Sequence, residues 1–411
     1  MATDKRKVIF FIPEFPVLSE TFIEREVVSL HRRGNIEIVV LALKKGSAEL
    51  PADLGNSVFY ARPTLPDIGF GILRILFTNP RGFKDSLAVL AAPREKPKLG
   101  SLFLWIKAIG YAHLFSKHTP RHIHAHFMSE TSTIAMFSAK MLHIPFSVSG
   151  HARDVFADTL NTASNPHMLA AKVKEAKFVA LCNDRAYKTC LGLAAAEDKN
   201  KVHLIYHGLD FSDVVSEKVT QQNGVPSLFY LGRFVEKKGL RYLLDAAKLL
   251  KDWGENFGVL LAGYGPQLDY LKEYSRQLGI SDCVRFINEG VGIDNKAAME
   301  LMHGCTVFVM PAVETDDNDS DGIPNTLLEA GKYKRSVVTT DAGSIPELLI
   351  NNKTGLVVAQ KDVNALAIAI KRLLNDADLR NLLGINLYVT VKDNFDLEKN
   401  LVELENLLGS S

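Results

Sequence analysis

A short apolar run, a helical pattern and a second apolar run open this chain, and that unit recurs almost to its end. Lys7 to Pro13 is the first run and closes in a Pro-rich loop. Phe22, Ile23, Val27, Val28 and Leu30 follow at helical spacing up to Gly34, and Ile36 to Leu43 is the next run. Brief apolar runs alternating with amphipathic helices predict βαβ units, and hence a parallel sheet with helices packed on it. Further strands are expected at Ile123–Phe127, Phe146–Ser149, Phe178–Cys182 and Val202–Tyr206.

One long polar, glycine-containing stretch, Gly208 to Pro226, breaks the rhythm. It reads as a linker (208–226) between a first domain, 1–207, and a second, 227–393. In the second domain strands are expected at Leu228–Leu231, Gly258–Ala262, Val284–Ile287, Thr306–Met310 and Val337–Thr340. Helices are expected at Gly239–Leu250, Leu268–Leu278, Ala297–His303, Pro324–Tyr333, Ala365–Leu374 and Leu379–Leu387, and Ile345–Leu349 is read as the start of another. A last helix near Leu397–Leu408 lies in a segment, 394–411, expected to cross back to the first domain. The predicted fold class is α/β, with two doubly wound Rossmann-like domains facing across a cleft. Ligands in such sheets bind at the carboxyl ends of the strands, so that cleft is the default site.

Composition narrows the partners. A net charge of +1 over 411 residues gives no signal for nucleic acid. The four cysteines form no metal-ligand spacing, and reduced thiols are expected. Val8 to Ile12 is too short for a signal peptide, and no uncharged apolar stretch of about 18 residues is found, so a cytoplasmic protein is expected.

Two patterns carry chemistry. In Asp321-Gly322-Ile323-Pro324-Asn325-Thr326-Leu327-Leu328-Glu329, two acids flank a Gly-x-Pro turn. Pro324 suits the first position of a helix, which leaves Asp321 in the loop before it and Glu329 on its second turn. The carboxyls would then stand roughly 10 Å apart, with free amides between them that favour an anion. In Gly232-Arg233-Phe234-Val235-Glu236-Lys237-Lys238-Gly239, between a strand and a helix, Arg233 and Lys238 could meet one diphosphate, whereas Glu236 and Lys237 read as solvated.

These residues resemble the retaining glycosyltransferases of family 4, which have the two-domain GT-B fold. The loop at Gly232 is similar to their G-R-x-x-x-x-K-G element, and Asp321…Glu329 to their E-x7-E, with Asp for the first Glu. Leu261–Pro266, Thr340–Glu347, Lys353–Val357 and Asp362–Ala367 continue the likeness. In the first half, Ser149–Asp154 resembles a strand-end H-x-x-D. His122–Phe127 and Phe15–Ile23 resemble elements of the subgroup that builds exopolysaccharides of the colanic-acid type; the Gly-Gly loop of the wider family is missing.

The resemblance implies a nucleoside diphosphate sugar as donor, an oligosaccharide or lipid-linked acceptor, and no required metal or other cofactor. It implies that Arg233 and Lys238 hold the donor diphosphate, Glu329 the ribose, and Asp321 hydroxyls of the donor sugar. His151 would sit at the reacting sugar face, and Asp154 would orient the acceptor side. Ser19, Glu20, His126, Gly232, Gly265, Asn288, Gly322, Ile323, Pro324 and Leu328 complete the expected substrate contacts, with the base read by backbone near Asn288–Gly290.

Rival readings stay open on the residues alone. Asp317–Gly322 begins like a calcium loop, but loop position 12 is Leu328, with Glu329 one place late. His122, His124 and His126 share a strand face at a spacing of roughly 6.6 Å, wide for one zinc ion. They read as a strand edge near the cleft, with His126 alone reaching the site. A nucleotide-sugar epimerase, or a non-catalytic nucleotide- or calcium-binding module, are the alternatives. Residues 68–121 are basic and apolar: either a face that docks on an anionic membrane, peripheral on its inner side, or two core helices with a solvated edge.

Overall fold

A computed structural model describes residues 5–17, 20–92, 98–156, 168–211, 224–287, 293–316 and 319–409. The chain divides into two compact units. Unit 1 is Met1–His207 with Leu397–Ser411, and unit 2 is Gly208–Asp396. The expected linker starts within the described part of unit 2, while its residues 212–223 lie outside the described residues.

Unit 1 runs β1 (Arg6–Phe15), α1 (Thr21–Arg33), β2 (Ile36–Lys45), β3 (Val58–Tyr60), α2 (Leu65–Thr78), α3 (Pro80–Ala91) and α4 (Lys98–Ser116). It continues with β4 (His122–His126), α5 (Glu130–Leu142), β5 (Phe146–Gly150), α6 (Arg153–Phe156), α7 (Leu169–Glu175), β6 (Val179–Leu181), α8 (Asp184–Leu193) and β7 (Val202–Leu204). The strands form one parallel sheet in the order β3-β2-β1-β4-β5-β6-β7. Along β1, Ile9 and Phe11 enter one core while Val8, Phe10 and Ile12 enter the other. That alternation is what a strand covered on both faces requires. α1 stops where glycine allows it: Gly34 turns left-handed at φ 67° and its N–H caps Leu30.

Unit 2 runs β8 (Ser227–Leu231), α9 (Leu240–Asp252), β9 (Gly258–Ala262), α10 (Leu268–Gln277), β10 (Val284–Ile287), α11 (Asn295–Gly304) and β11 (Val307–Met310). It ends with α12 (Asn325–Lys332), β12 (Val337–Thr340), β13 (Leu356–Val358), α13 (Val363–Asn375) and α14 (Ala377–Asn394). Its sheet is also parallel, ordered β10-β9-β8-β11-β12-β13. Ile345–Glu347 is a single 3-10 turn rather than the start of a longer helix.

The last helix, α15 (Leu397–Gly409), belongs to unit 1. Leu397, Leu401, Leu404 and Leu408 fill the core beside Val27, Leu30 and Ile36. Arg33 of α1 holds it by ion pairs to Glu398 at 2.8 Å and Glu405 at 2.9 Å. By length and composition, Leu99–Ser116 in α4 is long and apolar enough to cross a membrane, but 56% of that window is buried within the unit.

Candidate active site

The residues singled out in unit 2 gather at the carboxyl ends of its central strands. β8 delivers the loop Gly232–Gly239, and β11 delivers the segment that carries Asp319 and Asp321. Two glycines make the first loop possible. Gly239 has φ 65°, and a Cβ there would stand 1.8 Å from the carbonyl oxygen of Pro311. Gly265 has φ 152°, and a Cβ there would stand 2.5 Å from the carbonyl oxygen of Phe234. With neither side chain present, the Gly232 loop packs against the Gly263–Pro266 loop, and Phe234 N donates to Tyr264 O at 2.7 Å.

Inside this frame, Lys238 Nζ donates to Asp321 Oδ2 at 2.7 Å. Lys237 Nζ donates to Asp319 Oδ1 at 2.9 Å and lies 3.4 Å from Asp321 Oδ1. Lys237 is therefore not the solvated residue that its polar neighbours suggested: it is buried, and its carbonyl accepts from Val313 N at 2.9 Å. Burial pushes the Asp321 carboxyl up, but the ammoniums of Lys238 and Lys237 outweigh that and hold it below its usual range. Arg233, by contrast, is exposed, and its guanidinium makes no ion pair among the described residues.

The helix after Asp321 starts one residue later than expected. Asn325 is its first residue, and Pro324, extended at ψ 127°, is its N-cap. A proline there has no N–H to lose and sets φ for the turn. Gly322, Ile323 and Pro324 are partly or fully buried along the turn, and Leu328 and Glu329 are buried on the helix. The calcium reading fits poorly, because lysine ammoniums already hold Asp319 and Asp321; Asp317 and Asn318 lie outside the described residues. Asn288–Gly290 and Ser19 also lie outside them. Glu20 stands at the N-cap of α1, with its N–H bonded to Val17 O at 3.0 Å.

In unit 1 the expected strand edge is in fact the middle of the sheet. β4 lies between β1 and β5, and His122, His124 and His126 are fully buried. Serines on β5 explain how they are tolerated: Ser147 Oγ lies 2.6 Å from His122 Nε2 and 2.8 Å from His124 Nδ1, and Ser149 Oγ lies 3.0 Å from His124 Nε2. Burial pushes His122 down to about 3 and His124 well below its ordinary value.

His126 faces Glu26 of α1, with Nε2 and Oε1 3.2 Å apart in a geometry that makes no hydrogen bond. Its ring stacks on His151 at 5.6 Å and 9°. His151 Nδ1 lies 2.9 Å from His207 Nε2, and Phe22 packs on both rings. His151 Nε2 is buried with no hydrogen-bond partner among the described residues. Burial first, then His207, His126 and His124, hold His151 well below its ordinary pKa. Burial likewise puts His207 at about 4, with Glu26 opposing.

Asp154 does not point outward as an acceptor contact. Its carboxylate accepts from Met128 N at 2.7 Å, Ala152 N at 2.9 Å and His151 N at 3.1 Å, so it ties the loop after β4 to the loop after β5. Lys172, fully buried, donates to Met128 O at 3.0 Å and Ser129 O at 2.9 Å and fixes the same turn from the other side.

Glu26, His207, Lys172 and Lys237 were missed in the sequence. Glu26 alone left a usable signal, an acid on the apolar stripe of Ile23, Val27 and Leu30. Among the described residues, two groups have ligand atoms close enough for a metal ion, His151–Cys182–His207 and Glu26–His124–His126. In the first, His151 Nδ1 and His207 Nε2 already lie within hydrogen-bond distance of each other, 2.9 Å apart. In the second, both nitrogens of His124 are engaged by serines.

The family described as "Glycosyl transferases group 1" matches residues 213–388. Unit 2 is a group 1 glycosyltransferase domain. Among curated proteins, this chain is similar to the amylovoran biosynthesis glycosyltransferase AmsK of Erwinia amylovora, 31% identical over 35% of this chain and 34% of AmsK. It is similar to WcaL of Escherichia coli, a glycosyltransferase named for colanic acid biosynthesis, 30% identical over 41% of each chain. The chain thus spans about a third to two-fifths of those two relatives, while the likeness to Salmonella typhimurium WcaL reaches 89% of that protein at 22% identity. Among solved structures, Anabaena HepE in complex with UDP superposes with a TM-score of 0.70 over 98% of this chain and 100% of its own, at 16% identity. The fold is GT-B, with a group 1 domain as its second Rossmann-like unit.

Proposed function

We propose that this protein is a retaining glycosyltransferase of exopolysaccharide synthesis. It moves a sugar from a nucleoside diphosphate sugar to an oligosaccharide or lipid-linked acceptor. The observation that carries the reading is the Gly232 loop, which bears exposed Arg233 together with Lys238, paired to Asp321, in a group 1 domain. The UDP held by HepE in its crystal structure supports a nucleotide in such a fold.

Arg233 meets the diphosphate with a planar fork, and Lys238 adds a second cation as negative charge develops there. Glu329 takes the ribose hydroxyls. Asp321, kept ionised by two lysines, accepts from hydroxyls of the donor sugar. The bond from the anomeric carbon to the diphosphate oxygen breaks as the acceptor oxygen attacks from the same face. The acceptor proton passes to the departing phosphate oxygen. His151, neutral at pH 7, lies beside the reacting sugar as a hydrogen-bonding wall rather than a charged acid. No metal is required in this scheme, and the enzyme works on the cytoplasmic side of a membrane.

A thermal-shift screen with UDP, GDP and ADP, followed by a panel of the matching nucleotide sugars, tests it. One nucleotide should raise Tm by mass action, and its sugar conjugate should release nucleoside diphosphate. No shift and no release with any of them would sink the reading.

A further inference from the structure

α2 is tied to unit 1 by a narrow seam. Only Gly71 and Ile75 are buried along its 14 residues. Gly71 lies directly on α4, where a Cβ would stand 2.4 Å from Ile109 O. The two helices run antiparallel: Asp67 lies 4.0 Å from His113, and Ile68 packs on Gly110. The C-terminal half of α2 and the N-terminal half of α4 therefore share one end of the pair.

That end is apolar and open to solvent. On α2, Leu73 is 55% exposed and Phe77 86%. On α4, Leu99 (81%), Phe103 (56%) and Ile106 (39%) recur at helical spacing. α4 thus buries Leu104, Trp105, Ala108 and Ile109 on one face and offers a second apolar stripe on the other. An apolar surface of this kind on a soluble unit marks a docking site.

The charges beside it select the occupant. Arg74 on α2 and Arg81 and Lys84 on α3 are exposed and make no ion pair among the described residues; Asp85 is the neighbouring exposed acid. A second copy of this chain would bring the same cations face to face. An anionic bilayer offers apolar depth and negative charge together.

We infer that the α2–α4 face is a membrane-docking surface for bilayers with anionic headgroups, with Phe77, Leu99 and Phe103 in the acyl boundary and Arg74, Arg81 and Lys84 among the phosphates. The inference deepens the reading above, by placing a lipid-linked acceptor and the enzyme on one surface, but its test does not depend on catalysis.

The full chain is sedimented with vesicles of phosphatidylcholine, alone or mixed with phosphatidylglycerol, and thermal shift with nucleotide is read on the same samples. Wild type should pellet with the mixed vesicles only. The double variant Phe77→Ser/Phe103→Ser should lose on the order of tenfold or more in partitioning. Arg74→Ala and Lys84→Ala should each lose about fivefold, with binding weakened by salt. Circular dichroism and the nucleotide response should be unchanged, because all four side chains are exposed or part-exposed surface groups. Failure of wild type to bind any vesicle would overturn the inference, as would equal binding by the double variant. So would a lipid-free dimer in light scattering that the double variant abolishes. Vesicle binding without any nucleotide response would leave the surface standing and remove the catalytic reading instead.

Discussion

Lys238 Nζ and Asp321 Oδ2, 83 residues apart in sequence, meet at 2.7 Å, and Lys237 approaches the other oxygen of the same carboxylate at 3.4 Å. A carboxylate between two ammoniums is held below its usual pKa, and each lysine is partly neutralised before a donor arrives. The net positive charge left for a diphosphate falls mainly to Arg233.

Arg233→Ala should therefore lower kcat/KM by on the order of 100-fold. Its side chain is exposed and makes no ion pair among the described residues, so Tm should hardly move. Steady-state kinetics with the active nucleotide sugar and a melting curve check both halves. A large fall in Tm would show that the arginine supports the fold instead.

Asp321→Asn should cost about 3 kcal/mol, since it leaves two partly buried ammoniums without their shared anion. The folded carboxyl titrates below its ordinary value of 3.8, so its contribution is full above that pH and is lost as pH falls through the folded pKa. Wild type should lose its advantage over the variant below about pH 4. Urea unfolding of both proteins across that range measures the difference.

Lys237→Ala separates the buried lysine from its exposed neighbour Glu236. Loss of Lys237 releases Asp319 and lets Asp321 shift, so donor affinity should fall about tenfold. Glu236→Ala should leave it unchanged. Calorimetry with the nucleotide that raises Tm decides between them, and equal affinities for both variants would remove Lys237 from the site.

His207→Gln should flatten the acid limb of stability. The folded imidazole titrates near 4 because it is buried, against 6.5 when free. The unfolded chain binds more protons between those values, so wild type loses stability as pH falls from 6.5 to about 4. Unit 1 carrying glutamine should show a shallower slope over that window by denaturant melts, and an identical slope would contradict the burial argument.

Asp154→Ala leaves the amides of Met128, His151 and Ala152 without their acceptor. A loss of about 3 kcal/mol is expected, read by thermal unfolding, with Asp154→Asn recovering part of it. A variant with normal Tm and poor acceptor turnover would return Asp154 to the role that the sequence resemblance implied.

Strands buried on both faces announce themselves as continuous apolar runs, which is why β1, β2, β8 and β9 were legible at nearly their observed bounds. β3 and β13, of three residues each, were not read as strands. The histidines of β4 misled for a physical reason: three imidazoles looked too polar for a sheet centre, and the serines that satisfy two of them lie on another strand. Lys237 misled in the same way, since its partners arrive from residues 319 and 321. What local sequence conceals here is satisfaction at long range. What it showed correctly is the placing of loops whose parts are close in the chain, such as Gly232–Gly239 between β8 and α9, where the glycines permit the turn.

Leu397, Leu401, Leu404 and Leu408 complete a core whose other walls are β1, β2 and α1. During synthesis, every residue of unit 2 leaves the ribosome before that last wall exists. Unit 1 must wait with a leucine-shaped groove open while its partner unit can already close around its own sheet. The order of completion is then the reverse of the order of translation, and the groove is the surface that a chaperone would find to hold.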